Sequence, residues 1–416
     1  MKKEISILLC VTLLTLFTDI LPLQAGHYYY KQISLTDGLP STVRCILTDE
    51  QGFVWIGTRA GLARYDGHEL KKYIHQADNP HSIAHNFIHQ MIEDEQNNIW
   101  ILTDKGVARY QRQSDNFSML TNKTGNNIIA NSICLTKGGV LFGARNKVFF
   151  YSYQDTSFNF LQSFDLRPNY NATLLTLWDD HTLLCCSRWQ GLLLLDLKTG
   201  KCSDPPFDCG KEIMNILIDS QKRVWVAPYN EGLNCFTRDG KLLAAYNTRN
   251  SSLSNNVVLS LAERERQIWI GTDGGGINIL NPETGHFSLL EHLPGSENYS
   301  LPANSILCLY NDRNNNIWAG SIRNGLISIR DVSMKTYKDV LPGSDCGLSN
   351  ATVLSLFQES ESRIWIGTDG GGINSLNPHT EKFTHYPSTW EDKVASICPF
   401  TSGKLLISLF AQGVFV

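Results

Sequence analysis

The chain has 416 residues, of which 42% are hydrophobic, and a formal net charge of −4. It can therefore bury a substantial core, and it is too long for one ordinary compact domain. The sequence has no run of Lys and Arg that could follow a phosphate backbone, which argues against nucleic acid as a partner.

Residues 1–25 have the features of a secretory signal peptide. Lys2 and Lys3 precede an apolar run from Ile5 to Phe17, and Ala25 offers a small residue before a cleavage point at Gly26. The apolar run is short for a membrane span, although an uncleaved anchor is the alternative. Cleavage would place the mature chain in the periplasm.

One short pattern recurs nine times through the rest of the chain. The clearest copies are VWIGTRAGLARYDG from Val54, IWILTDKGVARY from Ile99, IWIGTDGGGINIL from Ile268 and IWIGTDGGGINSL from Ile364. One position of the pattern, Trp in six copies and Leu in three, falls at residues 55, 100, 141, 184, 225, 269, 318, 365 and 406. A period near 45 residues with β-type composition predicts a β-propeller with one small sheet per unit.

The first unit shows how one blade is expected to form. Aromatic and β-branched segments alternate with turns, and Asp66-Gly67 is a strong hairpin signal. The predicted strands, which we name A to D in chain order, are 42–48, 53–58, 62–65 and 69–74. The repeated Trp lies in strand B and is predicted to pack between neighbouring blades, which is a structural role.

The cysteines do not suggest a disulfide framework or a zinc site. Cys45 and Cys308 share one apolar position of the repeat and are predicted to be small buried hydrophobes. Cys202 and Cys209 flank a Pro-rich loop and are the one pair considered for a disulfide, a question that the sequence leaves open. No CxxC motif is present.

Three segments carry a resemblance to a known family: GLPSTVRCILTDEQGFVWIGTRAGLARYDG (38–67), LSNNVVLSLAERERQIWIGTDGGGINIL (253–280) and GLSNATVLSLFQESESRIWIGTDGGGINSLNP (347–378). They resemble two-component regulator propeller repeats. The resemblance covers residues 30–416 and is weakest in units three and four. It implies the periplasmic N-terminal part of a Bacteroidetes-type hybrid two-component sensor, in truncated form. In that family two seven-bladed propellers precede a β-sandwich, a transmembrane helix that anchors the sensor in the inner membrane, a histidine kinase and a response regulator.

This resemblance suggests how the chain is divided. The expected domains are the signal peptide (1–25), a first seven-bladed propeller (26–340) and an incomplete second propeller (341–416). Residues 28–34 have no local partner strand and are predicted to close blade seven, and residues 334–340 hold the same place before unit eight. A single ring of eight or nine blades is the alternative.

Several motifs resemble chemical sites, but each is better explained as part of a turn or loop. The Asp- and Asn-rich A–B turns at 49–52, 93–98 and 311–316 lack the spacing of a calcium loop. The DGGG segments at 273–276 and 369–372 precede strands, whereas phosphate loops precede helices. His81, His85 and His89 fall in a loop and a strand, where four-residue spacing does not bring three imidazoles together. We therefore expect no metal, no cofactor and no catalytic residue.

The rim that carries the B–C turns is the candidate ligand-binding face, because these turns and the D–A loops surround the central channel. Arg forks bind carboxylate or sulfate, and aromatic faces stack on sugar rings. A solvated rim without a ligand is the alternative for any one residue. The candidates are Arg59, Asp104, Arg145, Arg188, Trp189, Tyr229, Asn230, Asp273, Arg323 and Asp369.

The leading hypothesis is a non-catalytic, periplasmic ligand-sensing domain of a hybrid two-component signal-transduction system. The resemblance implies an oligosaccharide ligand, control of polysaccharide-utilisation genes and self-association as a dimer in the full-length sensor. It also implies that the membrane contact and the kinase and receiver domains lie outside this chain, which should have no phosphotransfer activity alone. The alternatives are a secreted propeller enzyme, such as a polysaccharide lyase or glycosidase, and a non-catalytic scaffold propeller.

Overall fold

The computed structural model describes residues 28–40, 42–122, 124–154, 162–292, 300–331, 337, 339–340, 347–378, 380, 382–386, 392–401 and 403–416. The chain divides into two compact units, residues 1–332 and 333–416. Apart from a short 3-10 helix, Leu35–Asp37, the regular structure of the described residues is β-strand. The predicted signal peptide and most of segment 334–340 lie outside the described residues.

The described strands of the first unit form seven four-stranded antiparallel sheets. The unit begins with β1 (Tyr28–Ile33). The first sheet follows, with β2 (Val43–Thr48), β3 (Val54–Thr58), β4 (Leu62–Tyr65) and β5 (Leu70–Tyr73). The second contains β6 (Ile88–Glu93), β7 (Ile99–Thr103), β8 (Gly106–Gln111) and β9 (Asn116–Met119). The third contains β10 (Ser132–Thr136), β11 (Gly139–Gly143), β12 (Lys147–Ser152) and β13 (Gln162–Asp165).

The remaining sheets of this unit repeat the same order. The fourth contains β14 (Leu174–Leu177), β15 (Thr182–Ser187), β16 (Gly191–Asp196) and β17 (Cys202–Ser203). The fifth contains β18 (Ile213–Ile218), β19 (Val224–Pro228), β20 (Leu233–Phe236) and β21 (Leu242–Tyr246). The sixth contains β22 (Val258–Arg264), β23 (Gln267–Thr272), β24 (Ile277–Leu280) and β25 (Phe287–Leu290). The seventh contains β26 (Ile306–Asn311), β27 (Ile317–Ser321) and β28 (Leu326–Asp331).

Strand β1 completes the seventh sheet. It pairs antiparallel with β28 along its whole length, from Tyr28 opposite Asp331 to Ile33 opposite Leu326. The predicted closing strand is therefore confirmed, and the beginning and end of the unit share one sheet. The first strands of successive sheets also contact one another, and β26 contacts β2. These strands surround a central channel, as expected for a propeller.

The second unit has the same strand pattern. One four-stranded sheet contains β29 (Val353–Ser360), β30 (Arg363–Thr368), β31 (Ile373–Asn377) and β32 (Lys382–His385). A three-stranded sheet contains β33 (Val394–Thr401), β34 (Lys404–Leu409) and β35 (Gly413–Phe415). The all-β propeller class is thus confirmed in both units, whereas the predicted boundaries of the two propellers stay predictions.

The repeated Trp residues pack between sheets, as predicted. Trp55 is fully buried, and its ring centroid lies 4.6 Å from that of Tyr110 in the next sheet. Ile88 and Ile99, also from that sheet, belong to the same core cluster. Burying such a large side chain between two sheets holds adjacent blades together.

The A–B turns orient these Trp residues through an aspartate six residues earlier in the chain. Trp100 Nε1 donates to Asp94 Oδ2 at 2.7 Å, and the backbone N–H groups of Gln96 and Asn98 donate to the other oxygen of that carboxylate. The same indole bond joins Trp55 to Asp49, Trp225 to Asp219 and Trp318 to Asp312. The aspartates of these turns therefore serve the fold.

We predict that Asp94→Ala will lower the free energy of unfolding by about 1–3 kcal/mol, because a buried indole N–H and two turn N–H groups lose their acceptor. Urea denaturation of the purified chain measures this. Asp180→Ala is the matched control, since Asp180 is exposed and pairs with exposed Lys137, and it should change stability by less than about 0.5 kcal/mol. Equal effects of the two substitutions would contradict the role of Asp94.

Candidate ligand-binding site

The first strand of five sheets in the first unit has a register shift at the same place. At a β-bulge one residue is left out of the hydrogen-bonded pairing between the strands, and the strand changes direction there. In the third and fourth sheets, whose pairing is regular, Asn131 and Thr173 stand at the equivalent position. The seven positions, which we call the collar, are Arg44, His89, Asn131, Thr173, Met214, Leu259 and Leu307.

All seven collar residues line the central channel, which has a volume of about 760 Å³. The four collar residues from the first four sheets are polar or charged, and the three from the last three sheets are apolar. The channel therefore has a polar arc and an apolar arc. Its volume is within the range of small-molecule binding sites.

Two arginines meet at the polar arc. The guanidinium carbon of Arg44 lies 4.7 Å from the ring centroid of Phe87, and that of Arg59 lies 5.9 Å from the same ring. Burial lowers the pKa of the Arg44 guanidinium. Its Nε is buried and has no hydrogen-bond partner among the described atoms. Arg44 therefore retains hydrogen-bonding capacity at the channel.

Asp104 lies beside this pair and is held by two histidines. Its Oδ1 is 2.5 Å from His89 Nε2, and its Oδ2 is 3.5 Å from His85 Nδ1. His89 and His85 thus converge on a carboxylate, while the backbone carbonyl of His81 accepts a hydrogen bond from Phe117. Within the described part of the chain, no cluster of His, Cys, Asp and Glu has the arrangement of a metal site.

Four of the predicted rim residues come together over sheets three to five. Arg145, Arg188 and Trp189 line a recess of about 410 Å³. Arg188, Trp189 and Tyr229 line a neighbouring recess of about 210 Å³ with Glu212. Trp189 is 66% exposed and Tyr229 50%, so both rings are available for stacking. Arg188 also lines the central channel, which places this group at the channel mouth.

The other predicted rim residues are placed differently. Asn230, Asp273 and Arg323 do not line any of these three cavities. Asp273 Oδ1 accepts a hydrogen bond from Ser305, and Asn230 has a left-handed backbone conformation in its turn. Asp369 belongs to the second unit, where Lys393 Nζ lies 2.8 Å from its carboxylate. These four residues are not part of the cavity-lining group at the mouth, and neither are Arg59 and Asp104, which line none of the three cavities.

The mouth arginines differ from Arg112 and Arg223, which bind carboxylates of the A–B turns. Among the described residues, none of the mouth set Arg44, Arg59, Arg145 and Arg188 has a carboxylate partner. In contrast, Arg112 binds Asp49 and Glu93 at 2.9 and 2.7 Å, and Arg223 binds Asp219 at 2.6 Å. The mouth therefore carries guanidinium groups without a direct carboxylate partner among the described residues, although Asp104 compensates part of the charge of Arg44.

The opposite end of the channel is neutralised. Glu93 accepts from Arg112 and from Arg313, at 2.7 and 3.1 Å, and from the backbone N–H of Glu50. Burial raises the pKa of Glu93. These contacts join three sheets and use up the charges at that end, so the uncompensated charge of the channel lies at the mouth.

Four cysteines of the first unit were singled out from the sequence, and the structure describes all four as free thiols. Cys202 and Cys209 are free thiols, so the pair considered from the sequence is not bridged in this structure. Burial raises the pKa of the Cys45 thiol to about 12, and burial also raises the pKa of Cys308. Both are protonated at neutral pH and pack as apolar groups, as predicted.

Sequence reasoning missed Phe87 and every collar residue except His89, which it considered only as a metal ligand. A charged residue inside the otherwise apolar segment VRCIL was a usable signal for Arg44. The bulge could not be predicted from the sequence, because it depends on the register between two strands.

Four segments of the chain match the family model described as two component regulator propeller, at residues 37–60, 82–105, 300–323 and 347–370. No curated protein sequence matches the chain. No helix among the described residues is long and apolar enough to span a membrane.

Solved structures share the fold. The extracellular domain assigned to hybrid two component system BT3049 from B. thetaiotaomicron is 22% identical, with a TM-score of 0.63 over 93% of this chain and 53% of that one. That of BT4673 from the same organism is 21% identical, with a TM-score of 0.60 and coverage of 93% and 58%. The WD40 beta propeller domain of Doa1 is 14% identical, with a TM-score of 0.54 over 74% and 98%.

The chain thus spans a little over half the length of the two B. thetaiotaomicron domains. At these identities the likeness establishes the propeller fold, while the family model matches the repeat sequence itself. The recognition made from the repeat sequence is confirmed: this chain contains two-component regulator propeller repeats, in the four segments that match.

Proposed function

We propose that this chain is a non-catalytic, ligand-sensing domain of a hybrid two-component signal-transduction system and that it works outside the cytoplasm. The observation that carries the proposal is the group formed by Arg145, Arg188, Trp189 and Tyr229 at the mouth of an open channel. The matching repeats and the extracellular domains that share the fold support the sensor role.

The chemistry of the mouth favours an oligosaccharide ligand. Exposed aromatic rings offer flat apolar faces for the C–H faces of sugars. Asn131, Asn171 and Gln190 line the recess beside Trp189, and amides provide both donors and acceptors for hydroxyl groups. Arginine forks add bidentate contacts to oxygen atoms. A flexible polar ligand with several sugar units could bridge the recesses and the channel.

Ligand binding would act by shifting a conformational equilibrium that a kinase elsewhere in the full-length sensor reads. In this proposal the full-length protein is a dimer anchored in the inner membrane, and it controls genes for polysaccharide use. The mouth supplies groups that bind and orient a ligand. Its two carboxylates have different surroundings. Asp104 contacts two histidines, and Glu212 lines the recess beside Tyr229.

We predict that Arg188→Ala and Trp189→Ala will each weaken oligosaccharide binding by about 1–3 kcal/mol, through loss of a charge-assisted hydrogen bond or of a stacked ring. Both side chains are exposed, so the melting temperature should change little. Calorimetric titration of the purified chain with a panel of neutral and acidic oligosaccharides measures the affinity.

Arg266→Ala is the matched control, because Arg266 is an exposed arginine in an A–B turn, away from the mouth. It should bind like the unmodified chain. If the mouth variants also bind normally, or if Arg266→Ala alone weakens binding, the site is assigned to the wrong rim. Release of shorter products during the titration would support the enzyme alternative.

A further inference from the structure

We infer that the channel recognises an acidic sugar in one orientation. Its carboxylate or sulfate group is held on the polar arc, and its C–H face rests on the apolar arc formed by Met214, Leu259 and Leu307. This inference rests on the proposed function and deepens it by naming the class of sugar. It has three supports: the unpaired arginines, the division of the collar, and the way in which the nearby carboxylates are engaged.

The unpaired arginines point to an anion. Arg44, Arg59, Arg145 and Arg188 all come from the first four sheets, and Arg44 and Arg188 line the same channel. The chain as a whole carries a formal net charge of −4, so a local cluster of positive charge differs in sign from the net charge of the protein. A guanidinium that lacks an internal partner is suited to bidentate contacts with a carboxylate or a sulfate.

Arg44 is the strongest single indication. Its guanidinium and that of Arg59 lie 4.7 and 5.9 Å from the ring centroid of Phe87, an arrangement that brings like charges near each other. Its Nε is buried without a hydrogen-bond partner among the described atoms. Leaving a buried charged donor unsatisfied costs free energy. A bound anion could contact the terminal nitrogens of the guanidinium and would reduce the repulsion between the two guanidinium groups.

The nearby carboxylates form no direct ion pair with these arginines. Asp104 contacts His89 and His85, and it compensates part of the charge of Arg44 from a longer distance. Glu212 lines the recess with Trp189 and Tyr229 and likewise has no arginine partner there. Arg44 and Arg188 line the channel without a direct carboxylate partner among the described residues, and this local positive charge favours an anionic ligand.

The apolar arc sets the orientation. Met214, Leu259 and Leu307 are half-buried residues of sheets five, six and seven, and all three line the channel. The polar collar residues come from sheets one to four. A charged group placed against them would lose hydration without gaining a partner. The C–H face of a sugar, in contrast, gains from contact with apolar side chains. The two arcs together therefore select a ligand with one charged edge and one apolar face.

Matched pairs of oligosaccharides test the inference by calorimetric titration of the whole chain. One arm compares an oligogalacturonate with its methyl ester, and the other compares a sulfated oligosaccharide with its desulfated form. We expect the acidic member of at least one pair to bind about tenfold or more tightly, as a charge-assisted contact implies. The arm that shows the difference identifies carboxylate or sulfate. Raising NaCl to about 0.5 M should reduce the difference by screening.

Variants separate the two arcs. Arg44→Gln and Arg188→Gln should each reduce affinity for the acidic member about tenfold or more and change affinity for the neutral member little. Met214→Thr should weaken both members to a similar extent, because the C–H face is common to them. Arg266→Gln should change neither. Melting curves of each variant check the fold, and the exposed Arg188 keeps the test decisive if the half-buried Arg44 variant fails to fold.

The outcomes distinguish this inference from the proposed function. If neutral and acidic members bind equally, the acidic-sugar inference is overturned while the sensor proposal stands. If the arginine variants also lose affinity for the neutral sugars, the arginines contact hydroxyl groups and the inference is again wrong. If no oligosaccharide of either kind binds, the proposed function fails and the inference fails with it.

Discussion

Replacing Trp269 by Ala is expected to lower the free energy of unfolding by about 3–5 kcal/mol. Trp269 is fully buried in a core cluster that includes Ile306 and Ile317 of the next sheet. Tyr28 packs edge-on against its ring, with centroids 5.5 Å apart. Truncation would remove contacts on both sides of the interface and leave a cavity that β-sheets cannot easily close. Urea denaturation monitored by circular dichroism measures the loss.

A comparison with Trp100 separates packing from hydrogen bonding. Trp100 Nε1 donates to Asp94, whereas Trp269 Nε1 has no partner among the described atoms. The position that holds the accepting aspartate in other units is Glu263, whose carboxylate accepts from Ser220 instead. We therefore expect Trp269→Phe to cost less stability than Trp100→Phe, since only the second change removes a buried hydrogen bond.

The controls for this prediction lie on the surface. Trp189→Ala removes an indole of the same size from an exposed turn and should change stability by less than about 0.5 kcal/mol. A loss below about 1 kcal/mol for Trp269→Ala would show that the interface relaxes around the missing ring. The packing role of the repeated Trp would then be wrong at this position.

Deleting residues 28–33 is expected to lower the free energy of unfolding by about 5 kcal/mol or more. This removes β1 and with it the last strand of the seventh sheet. Tyr30 and Ile33 are buried, and each contributes about 1.5–3 kcal/mol on burial. The edge-on contact between Tyr28 and Trp269 is lost as well, and β28 is left with an unpaired edge.

Thermal melting and limited proteolysis of the deletion variant provide the measurement. The double variant Tyr29→Ala, Lys31→Ala is the matched control, because both side chains are exposed on the same strand. It keeps the ladder and should lose less than about 1 kcal/mol. Unchanged melting after the deletion would refute the role of β1 in closing the first unit.

These expectations separate stability from binding. The groups that hold the sheets together are the buried Trp residues, the aspartates of the A–B turns and strand β1. The groups proposed to bind ligand lie on B–C turns and on the channel side of the first strands. Substitutions in the two sets should therefore have different effects, which makes a loss of binding interpretable when the melting temperature is unchanged.

The sequence by itself determined the repeat, the strand order within a unit, the buried Trp and the closing strand. Each of these follows from local signals: alternation of side chains, turn residues such as Asp66-Gly67, and a fixed period. Strand β1 was predictable because a β-segment without a neighbour in sequence must find its partner elsewhere. The strand order recurs in all seven described sheets of the first unit, so repetition strengthens that part of the inference.

Only the tertiary structure decided which side chains share a site. Arg145, Arg188 and Tyr229 meet because their sheets are adjacent, whereas Asp273 and Arg323 occupy similar turns on other sheets and line none of the three cavities. Arg44 faces the channel because a bulge shifts the register between β2 and β3. Register depends on pairing between strands and on the packing of whole sheets, and no local pattern encodes either.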